Sequence, residues 1–126
     1  MMVPESVLRT VILEDATVSG LIGSRFYPVL PQTPTLPACT YFRVSHYVPD
    51  EIPFPTARIQ VTCWGTSRAE ARELAEAVRL AGSGFKGTRH GMRVKYAKHE
   101  NDLDLRDPTT GYHTVPVDFK VIYREV

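Results

Sequence analysis

Cysteine is scarce in this chain: Cys39 and Cys63 are the only two, and they form no CxxC pair. That excludes a disulfide framework and suits a reducing compartment in which both remain thiols, buried and unreactive in alternating strand positions. Long apolar runs are missing too. The N-terminal stretch MMVPESVLRTVILEDA is interrupted by Glu5, Arg9, Glu14 and Asp15. It therefore has neither the h-region of a signal peptide nor the length of a membrane span, and the expectation is a protein soluble at synthesis with no membrane partner. An excess of one charge is also lacking. Fifteen Lys plus Arg stand against fourteen Asp plus Glu, which removes any bulk attraction to nucleic acid or an anionic bilayer and leaves only local patches. Internal repeats, low-complexity tracts and linkers are absent as well.

What is present is the material of one ordinary globular domain spanning 1–126: 43% of residues are hydrophobic and 23% charged, far from the regime of disordered chains. Val7, Leu8, Val11 and Ile12 recur at helical spacing behind Pro4 and Glu5, which predicts an amphipathic helix over 4–15. Asp15 is placed to cap a second short turn through Val18, Leu21 and Ile22, closed by Gly20 or Gly23. Seven of the ten prolines lie between residues 28 and 55, so that interval cannot be helical and is largely unsuited to central strands. It reads as an extended arm.

Period-two alternation marks ACTYFRVSHYV at 38–48 and ARIQVTCW at 57–64, the latter sending Ala57, Ile59, Val61 and Cys63 one way, as two strands pairing antiparallel. SRAEARELAEAVRLAG carries the strongest local signal. Ser67 and Glu70 make a capping box, Ala71, Leu74, Ala75 and Val78 form an apolar stripe, Arg72 and Glu76 can pair across a turn, and Gly82 is placed to stop the helix. MRVKYAKH alternates Met92, Val94 and Tyr96 against Arg93, Lys95 and Ala97. After the turn-rich RDPTTG, TVPVDFKVIYRE sends Val115, Val117, Phe119, Val121 and Tyr123 to one face. These elements predict an α+β fold: a mainly antiparallel four-stranded sheet with two helices packed on one face and an extended proline-rich arm.

Four strings in this order carry a resemblance to a known family: VSGLIGSRFYP at 18–28, LPACTYFRVS at 36–45, ARIQVTCWGTSRAEARELAEAVRLA at 57–81 and YHTVPVDFKVIYRE at 112–125. Together they resemble the tail-terminator or tail-completion proteins of long-tailed bacteriophages. The resemblance implies a structural virion protein and no enzyme: a homo-oligomeric ring, typically a hexamer, that caps the tail tube and joins the tail to the head. The implied partners are other copies of the chain, the tail tube protein and a head-tail connector, with DNA only in transit through the ring. The implied location is the head-proximal end of the tail, after assembly in the host cytoplasm. A head-side connector or stopper of the neck is the alternative within the same class.

Residues that could carry other chemistry read less well. GSGFKGT at 82–88 lacks the GxxxxGK[ST] pattern of a phosphate loop and trails a helix instead of opening one, so a helix stop and turn is expected. His46, His90, His99 and His113 show neither HxH nor HExxH spacing, and no metal or cofactor is expected. Asp102 and Asp104 lie on one side of a strand, but the calcium-loop spacing fails at Arg106; with Arg106 they read as a solvated or subunit-facing charged edge. In the loop VPDEIPFP, Asp50, Glu51, Ile52 and Phe54 are candidates for a subunit or partner interface, with folding back onto the chain's own sheet the competing expectation. Lys86, Arg89, Arg93 and Lys95 are candidates for a ring lumen or an ionic seam. The basic stretch that holds them, KGTRHGMRVKYAK at 86–98 with one aromatic, Tyr96, also invites a small nucleic-acid-binding module as a further alternative.

Overall fold

The structure is a computed structural model that describes residues 3–48 and 54–125. Helix α1 runs Pro4–Leu13, with proline in its first turn, where a missing N–H costs nothing, and Val7, Leu8 and Ile12 buried along one face. Asp15 accepts hydrogen bonds from the N–H groups of Thr17 and Val18. That starts a separate helix, α2, at Ala16–Ile22, and Gly23 at φ 59° ends it where a side chain would be strained.

Strand β1 is the pair Phe26–Tyr27, and β2, Ala38–Tyr47, runs parallel to it with Phe26 opposite Cys39. The proline-rich segment between them returns the chain to the same end of the sheet, as a parallel pair demands. Two arginines fasten this region through carbonyls. Arg9 Nε donates to Phe26 O at 3.0 Å and Arg25 Nε to Pro37 O at 3.0 Å.

Then follow β3, Thr56–Gly65; α3, Arg68–Gly82; β4, Gly87–Arg89; β5, Met92–Asp102; β6, Leu105–Arg106; and β7, His113–Glu125. The strand order is β1-β2-β3-β7-β5-β4, with every pair antiparallel except β1 with β2. Strand β6 continues the line of β5 along β7: Asp102 partners Val117, and Leu105 partners Thr114.

The expected four-stranded antiparallel sheet with two helices is therefore corrected to a curled, mixed, seven-stranded sheet with three helices among the described residues. Strands of two or three residues are too short to show alternation, so β1, β4 and β6 left no period-two signal. The turn expected after Asp15 is a helix in its own right, because its cap is satisfied and Val18 and Ile22 find the core.

The helices cover one face of the sheet. Ala57, Ile59, Val61 and Cys63 of β3 and Val115, Val117, Phe119, Val121 and Tyr123 of β7 point into it, against Ala71, Leu74, Ala75 and Val78 of α3. Ser67 Oγ accepts from the Glu70 N–H, while Glu70 Oε1 reaches back to the N–H and hydroxyl of Thr66. The box thus closes one residue earlier than the Ser67 N–H. Gly82 is needed for packing: a Cβ there would lie 2.8 Å from the Phe119 ring, and the left-handed turn falls instead at Gly84, φ 80°. On β5 the expected alternation breaks at a bulge between Val94 and Tyr96. The extra residue turns Tyr96 to solvent and buries Ala97, reversing their expected sides.

Candidate functional site

The sheet has two incompletely covered edges. On the outer side of β2, strand β1 reaches only Cys39 and Thr40, so among the described residues no strand pairs with Tyr41–Tyr47. This edge is apolar. Phe42, Val44, Tyr47 and Val48 are 52%, 51%, 65% and 59% exposed, a density of large apolar side chains that an open strand edge normally avoids. At the opposite end, β4 covers β5 only from Met92 to Val94. Beyond it, the Gly84 N–H donates to Ala97 O at 2.8 Å.

The acidic edge at 102–106 is engaged within the chain. Arg72 Nη1 reaches Asp102 at 2.8 Å, Arg72 also pairs with Asp104, and Arg68 Nη2 reaches Asp104 at 3.0 Å. Hydrogen bonding from Arg72 holds the Asp102 and Asp104 carboxyls below the ordinary carboxylate range, with smaller help from His99 for Asp102 and Arg68 for Asp104. His99 Nε2 lies 2.7 Å from Asp102 Oδ2. The expected Arg72–Glu76 pair is the looser one, at 3.4 Å, because Arg72 turns toward β5 while Glu76 takes Arg79 at 2.9 Å. Arg106 stands apart from this network: it is exposed, and its Nε donates to Gly111 O at 3.3 Å.

Asp50, Glu51 and Ile52 lie outside the described residues. Phe54 is half-buried, with Lys95 Nζ 4.6 Å and the Arg124 guanidinium 5.6 Å from its ring centroid. Such contacts let an aromatic face hold cations at small desolvation cost. Lys86, Arg93, Lys95 and Arg124 line one groove of about 410 Å³ with Phe54. Arg89 is separate, paired with Glu14 at 2.9 Å and stacked over Phe85 at 5.5 Å. Three of the four candidate lumen residues are therefore brought together, and the fourth ties β4 to the C-terminal end of α1.

Sequence reasoning missed a second set of cations, of which only Lys98 lies in the basic stretch at 86–98. Arg58, Lys120 and Lys98 are Cα partners in a line across β3, β7 and β5. They come from three strands distant in sequence, so only the register reveals them. Cys39 and Cys63 also face one another across β2 and β3, both fully buried with sulfurs 3.9 Å apart, and burial pushes the Cys63 thiol well up. A thiol so placed is a poor nucleophile. Among the described residues, no group of three or more His, Cys, Asp or Glu is gathered as a metal site would require, and no helix is long and apolar enough to cross a membrane.

The model of the family described as tail completion protein gp17 matches residues 6–124. Among solved structures, the chain is similar to one in the virion of native gene transfer agent (GTA) particle, with a TM-score of 0.66 at 16% identity over 94% of this chain and 95% of that one. At that identity the likeness concerns the fold. No curated protein matches the sequence.

Proposed function

The chain belongs to the tail completion protein gp17 family and is a structural tail protein; on that premise we propose that it closes into a homo-oligomeric, hexameric ring that caps the tail tube and joins the tail to the head. The single observation that carries the ring is the β2 edge. Among the described residues, backbone donors and acceptors of Tyr41–Tyr47 have no strand beside them on the outer side, and large apolar side chains flank them. An extended edge of this kind is satisfied by adding a strand from another chain. Because the second incompletely covered edge lies at the opposite end of the sheet, joining unlike edges of successive copies gives a head-to-tail contact, which closes as a ring when the rotation allows.

The rest of the reading follows from that geometry. Phe54 and the exposed Arg106 remain candidates for contact with the tube protein or the connector, Lys86, Arg93 and Lys95 remain candidates for the ring lumen, and DNA passes through the ring in transit. The work is assembly, not catalysis, and the place of the protein is the head-proximal end of the tail.

The test is a charge on the edge. Val44→Lys with Tyr47→Lys leaves the core untouched and should preserve the melting temperature of the free chain while abolishing rings in sedimentation velocity and negative-stain images. Rings formed by the double variant as readily as by the native chain would remove the β2 edge from the interface.

A further inference from the structure

Arg58 of β3 is the Cα partner of Lys120 of β7, which is in turn the partner of Lys98 of β5. Paired residues of a sheet project to the same side. That side is the helix-free one, because the flanking Ala57, Ile59, Phe119, Val121 and Ala97 point into the core. Four residues along β7, Arg124 partners Arg93, and Lys95 meets Arg124 over the Phe54 ring. Among the described residues, none of these six cations is within ion-pair distance of an acid. Asp118, the acid at a paired position of this face, is taken by Gln60 Nε2 at 2.9 Å.

Like charges directly opposite across strands destabilise a sheet. Adjacent strands lie about 4.8 Å apart and the two basic rows about 13 Å apart along β7, so the cations stand as a regular array on three interior strands of the sheet. The centre of a protein interface is depleted in charge, lysine above all. A polymer bearing phosphates at regular intervals has the opposite need, since each Lys or Arg that meets a phosphate releases a condensed counterion. We propose that the helix-free face of the sheet is a binding surface for the phosphate backbone of duplex DNA, centred on Arg58, Lys98 and Lys120 and extended by Arg93, Lys95 and Arg124. This goes beyond the assembly reading and is independent of ring closure, because the face belongs to one copy of the chain.

The experiment is fluorescence anisotropy of a labelled duplex of arbitrary sequence titrated with the full chain at several salt concentrations. The native chain should bind at low salt and weaken steeply as salt rises, the log–log slope falling by about 0.9 for each phosphate contact. The triple variant Arg58→Gln, Lys98→Gln, Lys120→Gln should lose at least about tenfold in affinity and flatten that slope by about two to three. A second triple variant, Arg79→Gln, Arg89→Gln, Arg106→Gln, removes the same net charge away from the two rows and should stay close to the native curve. Circular dichroism melts establish that both are folded, and Lys98→Gln alone should flatten the slope by about one. Equal losses in the two triples would reduce the effect to net charge and overturn the proposal. So would absence of DNA binding at low salt, or a polyglutamate probe bound more tightly than the duplex, which would mark an acidic protein as the ligand.

Discussion

Phe119 and Lys120 are adjacent on β7 and look to opposite sides of one sheet, and the charges on those two sides are treated differently. On the helix-covered side, Arg68 and Arg72 meet Asp102 and Asp104 at the rim, and Arg43 meets Glu5 at 2.9 Å. Each of these ion pairs ties a helix to the sheet or to the short link between β5 and β6. On the open side, Arg58, Lys98 and Lys120 face one another across strands, and among the described residues none has an acid within ion-pair distance. Compensated charge of the first kind serves the fold of the chain. Charge left uncompensated on rigid strands lowers stability slightly, and a partner is what gives it a use.

The sharpest way to break this comparison is to mutate the neighbours. Phe119→Ala empties a fully buried site beneath Gly82 and should cost about 3–5 kcal/mol in denaturant unfolding. Lys120→Ala should change stability by no more than about 0.5 kcal/mol. A large loss from Lys120 would make the open row part of the fold.

Next in size is Arg72→Ala. It leaves Asp102 without its main partner at a partly exposed rim, and the expected cost is about 1–2 kcal/mol at neutral pH after discounting for solvent, with the solvated Asp104 adding little. The pH dependence has a fixed sign. Arg72 depresses the Asp102 and Asp104 carboxyls in the folded chain, so its contribution is complete above the unfolded carboxylate value near 3.9 and fades as pH falls through the folded values. Melts of native and variant chains should therefore converge in acid. A gap that stays constant down to that range would mean the loss comes from packing of the Arg72 stem.

An effect of the opposite sign is expected from the triple replacement of Arg58, Lys98 and Lys120 by Gln. Removing cross-strand repulsion should leave stability unchanged or raise it by about 0.2–1 kcal/mol at low salt. A destabilisation of similar size would place that row with the structural charges.

The covered side was legible in the sequence because it is written locally. Ala71, Leu74, Ala75 and Val78 recur at helical spacing, and Val115 to Tyr123 alternate, so each stripe declares its buried face. Asp15 likewise marked the start of α2, and its end was left between Gly20 and Gly23, of which the structure takes Gly23 and runs the helix through Gly20. What was lost depended on register or length. The bulge at Lys95 adds a residue and exchanges Tyr96 with Ala97, and nothing in MRVKYAKH announces it. Strands β1 and β6, at two residues each, are recognisable only beside the strands they pair with. The same holds for the charges. Asp102 and Asp104 read as a solvated or subunit-facing acidic edge until α3 delivered Arg68 and Arg72 from thirty or more positions away, while the run from Lys86 to Lys98 drew attention along one strand and hid the row in which the sheet sets Lys98 beside Lys120 and Arg58.

Ring closure through the β2 edge is the claim on which the functional account depends, and the mass of the native chain in solution, taken with images of its outline both alone and in the presence of isolated tail tubes, tests it most directly. The account predicts a closed, six-fold particle with a central hole, free or seated on a tube end. A compact monomer under both conditions would contradict it.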